Sequence, residues 1–352
     1  MTKVLAAGDH FVAPELFVDA LGARAGGRDL EFAELKLPWP VEPFGPVGGV
    51  REASGTEQQV LEVLGGAAVA MTQMAPFTAE VLGKSPELKL LGVCRGGPIN
   101  VDLPAATEAG VIVSYTPGRN AAGAAEFAVG MILAALRRIP ASDAELKQGN
   151  WRGDYYAYDN AGIELAGSTV GLVGYGAIGR IVARVLHAFG ARVQVADPFV
   201  RPEEAEHDGV RLVGLDELLR SSFVVSLHAR LTAETEHLLN ADNLALLPEG
   251  AVLVNSARGG LLDYAPLPGL LKSGRLGALA VDVYDIEPPP REWPLFDSPN
   301  VITTPHLGGA TRQTAHRAAD IVAGDVARFL DGRRPRYVAN PEVLARFEGL
   351  RP

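Results

Sequence analysis

The stretch that decides the fold is TVGLVGYGAIG, residues 169 to 179, with VQVAD following at residues 193 to 197. A short apolar run leads into GxGxxG. Ile181, Val185 and Leu186 then recur at helical spacing, and a second apolar run ends on Asp197. That order reads as strand, turn, helix and strand. Gly174 permits the tight turn, Gly176 lets the backbone approach a pyrophosphate, and Gly179 lets helix and strand pack closely. Unpaired N–H groups at the helix start favour an anion there. Asp197 lies about 20 residues beyond the turn, where a carboxylate accepts hydrogen bonds from the ribose hydroxyls of NAD and repels the 2′-phosphate of NADP. A lone GxGxxG is more often an ordinary glycine turn. Here the strand, the helix and the acid agree on a dinucleotide, and the cofactor expected is NAD.

Composition bounds the rest. A chain of 352 residues is expected to form two domains, each able to bury a core. Hydrophobic residues make up 47% and charged residues 21%, as in a water-soluble globular protein. The net charge of −10 argues against a nucleic-acid or anionic-membrane partner. Cys94 is the single cysteine, so neither an internal disulfide nor a cysteine-built metal site is available, and no metal is expected. The first ten residues carry Asp9 and no long apolar core, so they are expected to form a strand and the protein to be cytoplasmic.

Along the chain, apolar runs at 4 to 7, 67 to 70, 88 to 93 and 111 to 114 predict parallel strands, while 37 to 49 is rich in Pro and Gly and reads as loop. Residues 120 to 138 predict a buried helix between two halves. Strands are then expected at 168 to 173, 192 to 196, 223 to 227, 251 to 255, 278 to 283 and 300 to 303, six in all, as in a doubly wound dinucleotide domain. Residues 311 to 330 read as one amphipathic helix, too short for a domain and expected to pack back onto the first. The fold class is therefore α/β: a Rossmann domain over 118 to 311, and a second α/β domain formed by both chain ends, 1 to 117 and 312 to 352.

Ligands of open parallel sheets bind beyond the carboxyl ends of strands. Three ionisable residues follow such ends: Arg258, Glu287 and His306. An arginine holds a carboxylate through two parallel hydrogen bonds. Histidine transfers protons near neutral pH, and a neighbouring glutamate stabilises the imidazolium. Taken singly, each has a plainer reading, as a turn residue, a solvated loop charge or a structural histidine. Their shared placement after strands of a nucleotide domain favours proton transfer to a carbonyl oxygen alongside hydride transfer.

NSARGGLLD (255 to 263), AVDVYDIEPPP (280 to 290) and TPHLGGAT (304 to 311) resemble the three signature regions of the D-isomer-specific 2-hydroxyacid dehydrogenases. The likeness extends over nearly the whole chain. It implies that Arg258 binds the substrate carboxylate, that His306 is the acid/base and that Glu287 pairs with it. It further implies that Asp282 meets the nicotinamide amide, and that Ala177, Ile178, Ser256, Ala257 and Gly309 lie against the cofactor. His228 and Thr232 belong to a segment, SLHARLT (226 to 232), similar to the family's cofactor-side strand end, although Arg230 stands where a proline is usual. CRGGPINVD (94 to 102) resembles the loop whose main-chain N–H groups hold the substrate carboxylate, making Gly96 and Gly97 candidates, with Asn120 near the substrate. Its ending, Ile99-Asn100-Val101-Asp102, departs from the family pattern. Arg95 has two readings, a contact to a second anionic group such as phosphate or a salt bridge to a nearby acid.

The resemblance also implies a homodimer, with Tyr155, Tyr156 and Tyr158 in an interface arm, and a substrate that is a 2-hydroxy acid or 2-oxo acid. 3-Phosphoglycerate is one candidate, with no regulatory domain expected after residue 352; glyoxylate or hydroxypyruvate is another. A non-catalytic NAD-sensing protein, like the corepressors that share the fold, is the alternative from a different class.

Overall fold

The computed structural model describes all 352 residues, Met1–Pro352. They form two compact units, one made of Met1–Arg119 with Ala310–Pro352 and the other of Asn120–Gly309.

The first unit holds β1 (Thr2–Gly8), β2 (Leu30–Lys36), β3 (Gly45–Val47), β4 (Val50–Ala53), β5 (Val69–Thr72), β6 (Leu90–Val93) and β7 (Ile112–Tyr115). Five of these make one parallel sheet in the order β2-β1-β5-β6-β7. This is the 2-1-3-4-5 arrangement of flavodoxin-like folds. β5 and β6 are buried at every position, as strands covered on both faces must be. β2 has no fully buried position, and its charges Glu31, Glu34 and Lys36 are exposed, which is how an edge strand keeps other chains from pairing with it. Its three charges within LEFAELK hid it from a search for apolar runs.

Residues 37 to 49 are not wholly loop. Gly45–Val47 pairs antiparallel with Val50–Ala53, and Gly48 and Gly49 supply the positive φ angles of 50° and 93° that the tight turn requires. The last long helix, Arg312–Leu330, starts at Thr311, whose hydroxyl accepts the Thr314 N–H at 3.0 Å. It belongs to this unit and packs so closely on β6 that a Cβ at Gly92 would lie 2.4 Å from Val322 Cγ1.

The second unit opens with helix Ala121–Leu136, whose buried alanines, Val129, Met131 and Ile132 join its core. Arg138, in the left-handed region at φ 51°, ends it and begins a separate helix, Ile139–Lys147. Its strands are β8 (Thr169–Val173), β9 (Arg192–Ala196), β10 (Arg211–Leu212), β11 (Val224–Leu227), β12 (Ala251–Asn255), β13 (Leu276–Val281) and β14 (Val301–Thr303). They form one parallel sheet, β10-β9-β8-β11-β12-β13-β14. The sheet has seven strands where six were expected. The extra one, β10, is two residues long and too short to leave a pattern. Strand order reverses between β8 and β11, so the carboxyl ends of β8, β9, β11, β12, β13 and β14 share the edge where such sheets bind ligands. No helix is long and apolar enough to cross a membrane.

Candidate active site

After β8 the chain turns through Gly174 at φ 96°, a conformation that disfavours a side chain. A Cβ there would lie 2.5 Å from the Ala229 nitrogen, so the glycine brings the turn onto the segment that follows β11. Gly179 faces the Gly174 carbonyl, which a Cβ would meet at 2.6 Å. Gly176 has open space over it and precedes helix Ala177–Ala188, whose first N–H groups receive no side-chain cap. Ala177 is exposed and Ile178 half-buried at this helix start. Asp197 closes the turn from β9: Oδ2 accepts the Tyr175 N–H at 2.7 Å and Oδ1 the Phe199 N–H at 2.9 Å. An open, positively polarised helix end beside a part-exposed carboxylate is the donor and acceptor set that a dinucleotide's pyrophosphate and ribose require. The residues present therefore fit NAD.

His228 and Thr232 extend this edge beyond β11. The His228 N–H donates to the Val173 carbonyl at 2.7 Å, and its Nε2 lies 3.0 Å from Ser226 Oγ. Burial pushes its imidazole down to about 4, so it is neutral near pH 7. Thr232 is exposed and ties its N–H to Thr235 Oγ1 at 2.8 Å.

Beyond β12, buried Asn255 shapes the loop that carries Ser256, Ala257 and Arg258. Its Oδ1 accepts the Ala257 N–H at 3.1 Å and its Nδ2 donates to the Arg258 carbonyl at 2.9 Å. Gly259 then lies flat on the neighbouring loop, because a Cβ would sit 2.0 Å from the Tyr284 oxygen. Beneath both loops Trp293 packs edge-on against Tyr284 at 5.1 Å and tilted against Tyr264 at 5.6 Å. Asn255, Tyr264, Tyr284 and Trp293 were not singled out from sequence. Their signal is the polar residue that ends an otherwise apolar strand, and the aromatics that punctuate the signature segments.

Glu287 and His306 are brought together. Glu287 Oε2 lies 2.7 Å from His306 Nδ1, and Oε1 accepts the Tyr284 N–H at 3.1 Å. Burial pushes the Glu287 carboxyl up, but the hydrogen bond and charge of His306, the Tyr284 amide and the Arg258 charge outweigh it and hold the carboxyl below its usual range. An ionised carboxylate only accepts, so Nδ1 of His306 carries the proton and Nε2 is left to exchange one. Arg258 is exposed and folds its Nη1 back onto the Ala257 carbonyl at 2.6 Å, within electrostatic reach of Glu287 but not bonded to it.

The loop bearing His306 is anchored from below. Asp282, wholly buried after β13, accepts Thr304 Oγ1 at 2.6 Å and the Leu307 N–H at 2.8 Å on Oδ1, and the Gly308 N–H at 2.7 Å on Oδ2. Tyr284 adds a hydrogen bond from its hydroxyl to the Thr304 carbonyl at 2.8 Å. Between these ties His306 is held in the left-handed region, at φ 55°, a strained state for a residue with a side chain. Asp282 was expected to meet the nicotinamide amide; in this structure both of its oxygens are engaged by the loop. Gly309 lies against Asn120, whose Nδ2 a Cβ would meet at 2.9 Å.

In the first unit, Gly96 and Gly97 follow β6 with open space above each. The unusual ending of this loop is satisfied locally: Asn100 donates to the Ala75 carbonyl at 2.8 Å, and Asp102 caps helix Leu103–Glu108 through the Ala105 N–H at 3.0 Å. Arg95 makes a salt bridge to the Glu52 carboxylate.

The family model described as D-isomer specific 2-hydroxyacid dehydrogenase, NAD binding domain, matches residues 129–308. D-3-phosphoglycerate dehydrogenase of Archaeoglobus fulgidus is 37% identical over 291 residues, 83% of this chain and 54% of that protein. Glyoxylate reductase of Thermofilum pendens is 38% identical over 267 residues, 76% of this chain and 79% of that protein. Apo D-lactate dehydrogenase from Escherichia coli superposes with a TM-score of 0.75 at 26% identity, covering 96% of this chain and 100% of that one. The chain belongs to the D-isomer-specific 2-hydroxyacid dehydrogenase family. It spans about half the length of the phosphoglycerate dehydrogenases it matches.

Proposed function

We propose that the protein is an NAD-dependent oxidoreductase that interconverts a D-2-hydroxy acid and its 2-oxo acid. The observation that carries this reading is the 2.7 Å pairing of Glu287 with His306 on the edge of the sheet that also bears the glycine turn and Asp197. The turn at 174 to 179, Ala177, Ile178, Asp197, His228, Thr232, Ser256, Ala257 and Gly309 would hold the dinucleotide. When bound, that group supplies or accepts the hydride at the substrate's C2.

The chain's own residues do the rest. Arg258 swings from the Ala257 carbonyl to take the substrate carboxylate in a two-point grip, which aligns the neighbouring carbonyl. In reduction, Nε2 of His306 gives a proton to the carbonyl oxygen; in oxidation it takes one from the hydroxyl. Glu287 keeps the other ring nitrogen protonated and stabilises the imidazolium that precedes proton release. Asp282 acts from behind, fixing the loop that aims the ring. Gly96, Gly97 and Asn120 are the further substrate contacts, with both chain ends forming the substrate domain.

The arm that precedes β8 leaves Trp151, Tyr156 and Tyr158 more than four-fifths exposed, and a second copy of the chain is the partner that would cover them. Light scattering at micromolar concentration checks this, and a monomer would overturn it.

The deciding experiment follows NADH oxidation against 3-phosphohydroxypyruvate, hydroxypyruvate, glyoxylate and pyruvate. Turnover of at least one supports the enzyme, whereas tight NADH binding with no turnover of any would sink it.

A further inference from the structure

The first unit carries, at the carboxyl edge of its parallel sheet, a charge pair that the proposed reaction leaves unused. Arg95 follows β6. Its carbonyl accepts the Thr116 N–H at 2.8 Å and Thr116 Oγ1 at 3.1 Å, which fixes the backbone from which the side chain projects. The guanidinium reaches the Glu52 carboxylate through Nη2 and lies against the Met74 sulfur through Nη1. Glu52 is on β4 of the small hairpin, which belongs to the connection after β2 and so stands on this same edge. The hairpin is tied down next door, where the Ser54 N–H donates to the Met74 carbonyl at 2.9 Å. The Arg95 side chain is 16% exposed, less than the cation of any other ion pair on the chain, and that of Glu52 is 32% exposed. Asp9, a wholly buried carboxyl just after β1, is pushed up to about 6 by burial, against which the Arg119 charge and, after it, that of Arg95 act.

We infer that Glu52 is a specificity-determining residue: by holding Arg95 it denies a phosphate group its partner, so the substrate class is a small unphosphorylated 2-oxo acid. The inference rests on the dehydrogenase reading above and narrows it. A phosphate monoester brings nearly two negative charges at neutral pH. To use Arg95 it must take the guanidinium from Glu52 and then lie beside the carboxylate it has stranded. An unphosphorylated hydroxyl or hydrogen at the same position requires no such exchange. A charge left unpaired by the wrong ligand is a standard way to build specificity against it. Gly96 and Gly97, with open space above them, keep their main-chain N–H groups available for the carboxylate that both substrate classes share.

Hydroxypyruvate and 3-phosphohydroxypyruvate differ only in the phosphate, so the ratio of their kcat/KM values isolates it. The unmodified chain is expected to favour hydroxypyruvate. Glu52→Gln keeps the size and removes the charge, and it should move the ratio towards the phosphorylated compound by about tenfold, equivalent to one freed ion-pair contact of about 1.4 kcal/mol. Adding Arg95→Met to that variant should cancel the gain. An unmoved ratio in Glu52→Gln, or an unmodified chain that already prefers the phosphorylated compound, overturns the inference while leaving the dehydrogenase reading intact. If no 2-oxo acid is turned over at all, that reading fails and the inference is read by calorimetry with inorganic phosphate. Binding by Glu52→Gln and not by the unmodified chain supports it, and equal binding overturns it. Circular dichroism of each variant separates either result from misfolding.

Discussion

The carboxylate of Asp282 receives the main-chain N–H of Gly308 at 2.7 Å, joining the end of β13 to the far side of the loop that carries His306. With Thr304 and Leu307 on its other oxygen, this one buried side chain satisfies three donors. A histidine in the left-handed region is locally unfavourable, and the ties from Asp282 and Tyr284 offset that cost.

Asp282→Asn tests the anchor directly. An amide has one accepting oxygen and turns an NH2 towards the donors that remain, leaving at least one buried N–H unpaired. The expected loss is about 1–3 kcal/mol of stability, read by urea denaturation, with kcat falling as the ring loses its aim. A variant as stable and active as the parent would show that the loop holds its shape without this carboxylate.

His306→Gln removes the titrating nitrogens while keeping a polar side chain. Turnover should fall by about 10²–10⁴-fold, the usual contribution of a positioned acid/base. NADH affinity, followed by fluorescence titration, should stay within about twofold because no cofactor contact is assigned to this residue. Undiminished turnover would move the proton transfer to another group.

The lowered Glu287 carboxyl carries a pH signature. A carboxyl whose folded value lies below its usual 4.5 contributes stability that is present above pH 4.5 and lost as pH falls through the folded value. The parent should thus outlast Glu287→Gln in denaturant at neutral pH, and the gap should close as the solution is acidified below 4.5. A gap that widens on acidification would contradict the sign of the shift.

Asp197→Ala removes the acceptor of the Tyr175 and Phe199 N–H groups along with the charge proposed to face the ribose. NADH binding should weaken, and the preference for NADH over NADPH should narrow. Equal use of both cofactors by the parent would refute the role given to this acid.

Some of this was legible in the residue string and some was not. The nucleotide turn could be read because its glycines answer steric demands that no other residue meets, as the 2.5 and 2.6 Å approaches at Gly174 and Gly179 bear out. Buried parallel strands announced themselves as apolar runs. β2 stayed hidden because an edge strand bears charges on its open face, and β10 because two residues hold no pattern. The strand ends that carry Arg258, Glu287 and His306 could be placed from the residue pattern, whereas the pairing of Glu287 with His306 came only from the family resemblance, since the 2.7 Å contact spans 19 residues and depends on the side-by-side order of β13 and β14. The Asp282 anchor and the Arg95–Glu52 pair are long-range tertiary contacts of the same kind, invisible to any local spacing rule.

The close seat of helix Arg312–Leu330 on Gly92 has a consequence for the order in which the protein takes shape during synthesis. The first unit's sheet leaves the ribosome before the helix that covers β6, which starts more than two hundred residues after that strand. Residues 120 to 309 can close their own core in that interval. Until the final helix emerges, the apolar face of β6 must stay unfinished. The first unit's sheet is thus covered only after the second unit has been made, and a chain halted between residues 309 and 312 would carry a finished second unit and an open first one.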